Sequence, residues 1–149
     1  QVVSYQPLQK LKAEQGLFEA KPSVEGLEAV GVLLSEINEY LFGIRKTFSV
    51  NIDWGVLEGF QRQVLTITAD IPYGEVMTYG EIAAKLGKPG AARAVGGALG
   101  RNPMPIVIPC HRVVGSGRRL VGYTGGLTTK AFLLGLEGHT IEEGRIKTK

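Results

Sequence analysis

The tetrapeptide Gly87-Lys88-Pro89-Gly90 restricts the fold more than any other stretch, because it cannot continue a helix and both of its flanks are helical in pattern. Upstream, Thr78-Tyr79-Gly80-Glu81 has the form of a capping box, in which Thr78 caps the first turn and Glu81 reaches back to it. Tyr79, Ile82, Ala83 and Leu86 then share one face. Downstream, the segment from Ala91 to Gly100 begins a second helix. Helix, short break, helix is the outline of a helix-turn-helix.

The second helix has two unlike faces. Ala91, Val95, Ala98 and Leu99 can pack inward, while Arg93, Gly96, Gly97 and Gly100 lie opposite. Each interior glycine costs up to about 1 kcal/mol relative to alanine. Two or three on one face make sense if something approaches the backbone closely with one arginine projecting beside it, or if another helix packs tightly there. Asn102-Pro103-Met104-Pro105 follows as a stiff turn, and a side-chain amide at Asn102 can tie together the segments that the turn joins.

That turn leads into Ile106-Val107-Ile108-Pro109-Cys110-His111-Arg112-Val113-Val114, read as a buried β-branched strand that ends at a proline and delivers the only cysteine beside one of only two histidines. A lone cysteine is most often a small buried hydrophobe. A working nucleophile instead needs cations, dipoles or a base nearby, because little thiolate exists at neutral pH, and His111 and Arg112 supply candidates. Neighbouring side chains on extended backbone point to opposite faces, so a water bridge between Cys110 and His111 is the natural link unless the chain turns sharply. His139 falls in a polar tail.

Residues 1 to 53 carry five Lys/Arg against seven Asp/Glu, whereas residues 54 to 149 carry twelve against seven, so the second half is basic and points modestly to a polyanionic partner. A hydrophobic content of 44% fits a folded globule. One cysteine allows no internal disulfide, which suits a reducing cytosol. No apolar run approaches the roughly 18 residues of a membrane span, and no signal peptide is evident. The chain opens on Gln1, as a trimmed or partial N-terminus would.

Upstream of the boundary placed near Asp53, Val2-Val3-Ser4-Tyr5 reads as a short strand. A helix from about Ser23 to Phe42 would pack through Leu27, Val30, Leu34, Ile37 and Leu41, and the segment from Phe48 to Asp53 is extended. A further helix spans about Phe60 to Ala69 and ends in an Ile71-Pro72-Tyr73-Gly74 turn. After the cysteine come a flexible basic loop, Gly115 to Arg119, a glycine-rich loop around Tyr123, and a helix from Thr128 to Leu136. The charged remainder to Lys149 reads as a frayed end.

Taken together, these residues resemble the O6-alkylguanine-DNA alkyltransferase family of direct-reversal DNA repair proteins. The resembling blocks are Ile106 to Val113, Arg93 to Ala98, Asn102-Pro103, Tyr123 to Gly126, Leu133 to Gly138, Ile71 to Val76 and Tyr79, about two thirds of the chain with weaker matches at Tyr40 to Gly43 and Phe60 to Leu65. The resemblance implies an α+β fold: a small, shortened N-terminal α/β domain over residues 1 to 53, ribonuclease-H-like, and a mainly helical C-terminal domain over residues 54 to 149 that carries the helix-turn-helix. It also implies one irreversible transfer of the alkyl group from O6-alkylguanine or O4-alkylthymine to Cys110.

By the same resemblance, His111 takes the thiol proton through a water, Glu137 orients His111, and Asn102 holds the fold around the site. Arg93 replaces the flipped nucleotide in the stack, and Tyr79 presses on the target phosphate and protonates the departing oxygen. Gly80, Lys88 and Ser116 meet the DNA backbone, Gly96 and Gly97 face the minor groove, and Tyr123, Thr124 and Gly125 wall the base pocket. Extruding the base costs a few kcal/mol.

Thr124 stands where the family often has serine, and its extra methyl narrows the pocket. The first half offers no counterpart to the family's opening strands. With no cysteine or histidine cluster, neither a metal nor another cofactor is expected. The implied partner is double-stranded DNA containing alkylated bases, met by a monomer in the cytoplasm, at the nucleoid in a prokaryote, and not at a membrane. Two other readings stand beside this one. A non-enzymatic helix-turn-helix regulator or lesion sensor would want base-reading side chains on the second helix, and a cysteine hydrolase would want a second histidine in a structured segment.

Overall fold

The computed structural model describes residues 23 to 147 and combines five helices with two small sheets among them, an α+β architecture. The short strand expected near residues 2 to 5 lies outside the described residues. Up to residue 53 the described chain is helix α1 (Val24–Leu41), capped by the Ser23 hydroxyl, followed by a turn and then a segment without regular secondary structure. The rest of the expected N-terminal α/β domain also lies outside the described residues.

Helix α1 corrects one expectation. Its apolar stripe was read as a packing face, yet Leu27, Val30 and Leu34 are all more than half exposed, and the side chains it buries are Glu36 and Tyr40. Glu36 accepts from the Ser49 backbone N–H at 2.9 Å and from the Ser49 hydroxyl, with Arg45 3.5 Å away, which ties the helix to the irregular segment that follows. Polar pairing therefore seats α1 where periodicity suggested hydrophobic burial.

Helices α2 (Gly59–Ala69), α3 (Tyr79–Lys85) and α4 (Ala92–Gly100) pack around one core. Val64 and Leu65 from α2, Ile82 and Ala83 from α3, and Val95, Ala98 and Leu99 from α4 meet Ile71, Ile108 and Val113 there. Burial of a side chain of this size contributes about 1.5–3 kcal/mol. The capping box is present in both directions: the Glu81 N–H donates to Thr78 Oγ1 at 3.1 Å and the Thr78 N–H to Glu81 Oε2 at 2.6 Å. The expected break follows, with Gly87 at φ 69, a value that favours glycine.

Strand β1 (Met77–Thr78) pairs in parallel with β2 (Val113–Val114), in register Met77 to Val113 and Thr78 to Val114. This pairing fixes the start of α3 beside the cysteine segment. The strand expected before Cys110 is absent, because Pro105 and Ile108 bridge across a tight turn in which Ile106 takes φ 75. A β-branched residue in that region is strained. Bonds across the turn hold it: the Ile108 N–H donates to Met104 O at 2.9 Å, and the Asn102 amide donates to Ile108 O at 2.9 Å.

Helix α5 (Leu127–Leu136) completes the C-terminal side. The tail read as frayed is a hairpin of β3 (Ile141–Glu142) and β4 (Arg145–Ile146), whose Ile146 is buried against Val114, Leu120 and Leu134. Gly115 to Arg119, read as flexible, is a short ordered turn: the Gly115 N–H donates to Arg119 O at 2.8 Å, and a Cβ on Gly115 would lie 2.8 Å from Val121 Cγ2. No helix of the described residues is long and apolar enough to cross a membrane.

Candidate active site

Cys110 opens a 3-10 turn, Cys110–Arg112, at the point where the strained loop meets β2. This is the sharp bend that extended geometry lacked. The thiol is half-buried and lines a cleft of about 890 Å³ between α3, α4 and the loops after β2, within the ~300–1,000 Å³ range of sites that take small molecules. Tyr79, Gly80, Arg93 and Gly96 line its helical wall, while Ser116, Tyr123 and Thr124 line the loop side. The cleft thus brings together eight of the residues singled out from the sequence.

The glycines on α4 are not demanded by packing within the described residues. A Cβ on Gly96 would touch the Tyr79 ring at 3.7 Å, one on Gly97 only Arg101 Nη1 at 3.8 Å, and one on Gly100 nothing within 4 Å. Their bareness leaves room for something outside the described residues. Gly97 and Gly125 do not line the cleft. Gly125 instead makes space for Tyr123, whose ring carbon Cε1 would be 2.9 Å from an added Cβ. Lys88 also lies elsewhere, its ammonium 5.3 Å from the centroid of the Phe60 ring.

Behind the cysteine lies a buried polar cluster. His111 Nε2 is 2.9 Å from Glu137 Oε1, and Arg112 donates through Nε to Glu137 Oε2 at 2.9 Å and through Nη2 to Oε1 at 2.8 Å. Arg112 Nη1 also donates to Ile71 O at 2.6 Å. The guanidinium is therefore committed to Glu137 and the backbone, which removes it as the cation for the thiol. Burial would raise the Glu137 carboxyl, but hydrogen bonds from His111, Arg112 and Tyr40 outweigh it and hold the group at about 2. Burial lowers His111 more than its bond to Glu137 raises it, so the imidazole is neutral at pH 7. With Nε2–H donating to Glu137, Nδ1 is the bare nitrogen, and it is buried without a hydrogen-bond partner among the described residues.

Burial raises the Cys110 thiol, against the Asn102 side chain, the charge of Lys130 and the backbone N–H groups of the turn. The thiol is protonated at neutral pH. Reactivity then requires a base, and the bare nitrogen of the adjacent imidazole is of the right kind. Asn102 does what its position suggested: besides the bond to Ile108 O, its oxygen accepts from the Met104 N–H at 3.0 Å. Tyr79 donates to Val121 O at 2.9 Å, and burial, then the nearby cysteine, raises its hydroxyl. Burial pushes Tyr123 up to about 12.

Two residues at the site escaped the sequence reading. Lys130 is wholly buried in α5 and donates to Val113 O, Val121 O and Gly122 O at 2.5, 3.0 and 3.2 Å, while burial brings its ammonium down to about 8. Its signal was visible, since Lys130 precedes Leu133 and Leu134 on the inward stripe of the helix. Tyr40 of α1, which the sequence placed only in a weaker block of the resemblance and gave no role, donates to Glu137 Oε1 at 2.6 Å from across the chain. His139 sits in ordered structure at the end of α5, its N–H bonded to Leu134 O at 3.0 Å, and not in a loose tail. Among the described residues no group of three or more His, Cys, Asp or Glu side chains is arranged to hold a metal ion.

Residues 59 to 139, which hold the cleft, the cysteine turn and Glu137, match the family model for the DNA-binding domain of 6-O-methylguanine DNA methyltransferase. The chain belongs to that family. The methylated-DNA--protein-cysteine methyltransferase of Mycobacterium leprae is 47% identical over 108 residues, 72% of this chain and 65% of the relative. Mycobacterium tuberculosis OGT in complex with DNA superposes with a TM-score of 0.66 at 47% identity, over 71% of this chain and 64% of that one. A further neighbour, S. pombe Atl1 in complex with damaged DNA containing O6-carboxymethylguanine, gives a TM-score of 0.52 at 33% identity over 67% of this chain and 93% of its own. The chain spans slightly under two thirds of the first two methyltransferases.

Proposed function

We propose that the protein repairs DNA by direct reversal, moving the alkyl group of O6-alkylguanine, and of O4-alkylthymine, onto Cys110. Helices α3 and α4 act as a helix-turn-helix that lays the glycine face of α4 along the minor groove, where a side chain would hold the backbones apart. Gly80, Lys88 and Ser116 meet the phosphates. Arg93, exposed at the rim of the cleft, enters the stack as the damaged nucleotide swings out, offsetting part of the few kcal/mol that extrusion costs. The base is received between Tyr79 and the Tyr123 to Gly125 loop.

In the transfer, the thiol proton passes through a water to Nδ1 of His111, and the imidazolium is stabilised by the Glu137 carboxylate on its other nitrogen. The thiolate attacks the alkyl carbon, a sulfur–carbon bond forms, and the carbon–oxygen bond breaks with its electron pair left on the base. Tyr79 supplies the proton that restores guanine, and its phenolate is reprotonated through water at the expense of the His111 imidazolium, so the thiol proton ends on the base and both side chains return to neutral. The product is a thioether that no group in the cleft is equipped to cleave, so each molecule acts once.

The observation that carries this reading is a half-buried thiol at the wall of a cleft that admits a purine, backed by a buried imidazole with one bare nitrogen. The ribonuclease-H-like fold for residues 1 to 53, the boundary near Asp53, the monomeric state and a cytoplasmic or nucleoid location belong to the same proposal. The test is restoration of guanine in a duplex carrying one O6-methylguanine, read by renewed cleavage at a restriction site that the lesion blocks. Wild-type protein restores cleavage in proportion to protein added, and Cys110→Ala binds the duplex without restoring it. Restoration by the alanine variant would refute the assignment. Wild-type binding without restoration would make the chain a lesion binder.

A further inference from the structure

Tyr40 lies upstream of the proposed domain boundary and outside the cleft, yet it is fully buried against the groups that govern the thiol. Its hydroxyl has one proton and gives it to Glu137 Oε1 at 2.6 Å, which turns an oxygen lone pair toward His111 Nε2 at 3.2 Å. Nε2 therefore faces two acceptors, the phenol oxygen and the carboxylate, and only a protonated Nε2 satisfies both. The ring cannot swing away, because Tyr73 stands edge-on at 6.1 Å and Phe48 tilts against it at 5.6 Å.

We propose that Tyr40 is a positioning residue for alkyl transfer: from the far side of the imidazole it fixes which nitrogen of His111 is bare and sets how much negative charge Glu137 presents to the ring. The inference rests on the alkyl-transfer reading. Its physical content is a competition. A carboxylate beside an imidazole favours the imidazolium, and every strong donor to that carboxylate weakens the effect. The phenol is such a donor, and at 2.6 Å its bond to Glu137 outweighs its longer contact with His111.

The other charged or titratable groups acting on His111 are Lys130 of α5, Glu137 at its C-terminal cap, and Arg112 from its own turn, which Cys110 opens, with Tyr73 behind Tyr40. Altering Tyr40 keeps all of these side chains and changes only the charge that Glu137 presents, through the lost or strengthened phenol donor. Removing the hydroxyl makes His111 more basic, so the acid limb of alkyl transfer moves to higher pH. Strengthening the hydroxyl as a donor does the opposite.

The test uses the full chain with Tyr40→Phe, and separately with 3-fluorotyrosine placed at position 40, a more acidic phenol of nearly the same shape. Nitrogen shifts of the His111 ring are titrated by NMR, and single-turnover transfer from an O6-methylguanine duplex is followed across pH. Tyr40→Phe moves the His111 midpoint up, and each unit of that movement slows transfer about tenfold on the acid limb. The fluorinated protein moves both down, and duplex affinity is the same in all three. Unchanged midpoints in both variants, or losses that track only the folded fraction, overturn the proposal. The NMR titration needs no turnover, so absence of alkyl transfer in the wild type would sink the repair reading while leaving this measurement to stand or fall separately.

Discussion

Replacing Glu137 with glutamine probes the buried cluster most sharply, since the amide keeps the shape and deletes the charge. The structure holds the carboxyl at about 2 against an ordinary 4.5, and at about 1.4 kcal/mol per unit this favours the ionised form by about 3 kcal/mol. The other route to the magnitude is the partner left behind. Arg112, buried and bonded to both carboxylate oxygens, loses its counter-charge, and breaking a buried pair in this way costs about 3–5 kcal/mol. The two routes agree on at least about 3 kcal/mol. With a urea slope of ~1–3 kcal/mol per molar, the unfolding midpoint falls by at least about 1 M.

The control is Glu142→Gln. It removes the Lys147 pair, both of whose side chains are more than half exposed, and shifts stability by at most about 1 kcal/mol. The pH dependence supplies a second readout. A depressed carboxyl stabilises above its unfolded pKa, and that contribution is lost as pH falls from about 4.5 to about 2. Wild-type protein shows this acid loss, and Glu137→Gln lacks its share of it. Equal destabilisation by the two glutamine variants, or identical acid profiles, would refute the reasoning.

Three further outcomes follow from other parts of the molecule. Gly97→Ala meets only Arg101 Nη1 at 3.8 Å, so it raises thermal stability, by up to about 1 kcal/mol, while weakening duplex binding in a titration at fixed salt. Gly125→Ala brings a Cβ to 2.9 Å from the Tyr123 ring, so single-turnover transfer slows with little change in the urea midpoint. Lys130, held near 8 against 10.5, binds fewer protons folded than unfolded in that window, so wild-type stability rises from pH 8 to 10.5 relative to Lys130→Met, by up to about 3 kcal/mol in urea unfolding.

Local signals were the legible part of this chain. The capping box at Thr78, the break at Gly87 and the two-faced α4 could be read directly, because each depends on residues three or four apart. The cysteine and its imidazole were legible as a pair, although the chain around them was misread. Ile106 to Ile108 looks like a strand by composition, yet two prolines and the Asn102 amide impose a turn that propensity cannot see, since β preference reflects surroundings. The hairpin at the C-terminus was hidden for the same reason: only the burial of Ile146 under α5 makes it worthwhile. Tyr40 was the least visible of all, joined to Glu137 across 97 positions of sequence.

The central claim is that Cys110 keeps what it removes from DNA. Intact-mass measurement after incubation with an excess of O6-methylguanine duplex tests it most directly. The account predicts a gain of one methyl group per molecule, located by fragmentation on Cys110, with no further product however long the incubation. Unmodified protein alongside repaired DNA, or repair exceeding one lesion per chain, would contradict it.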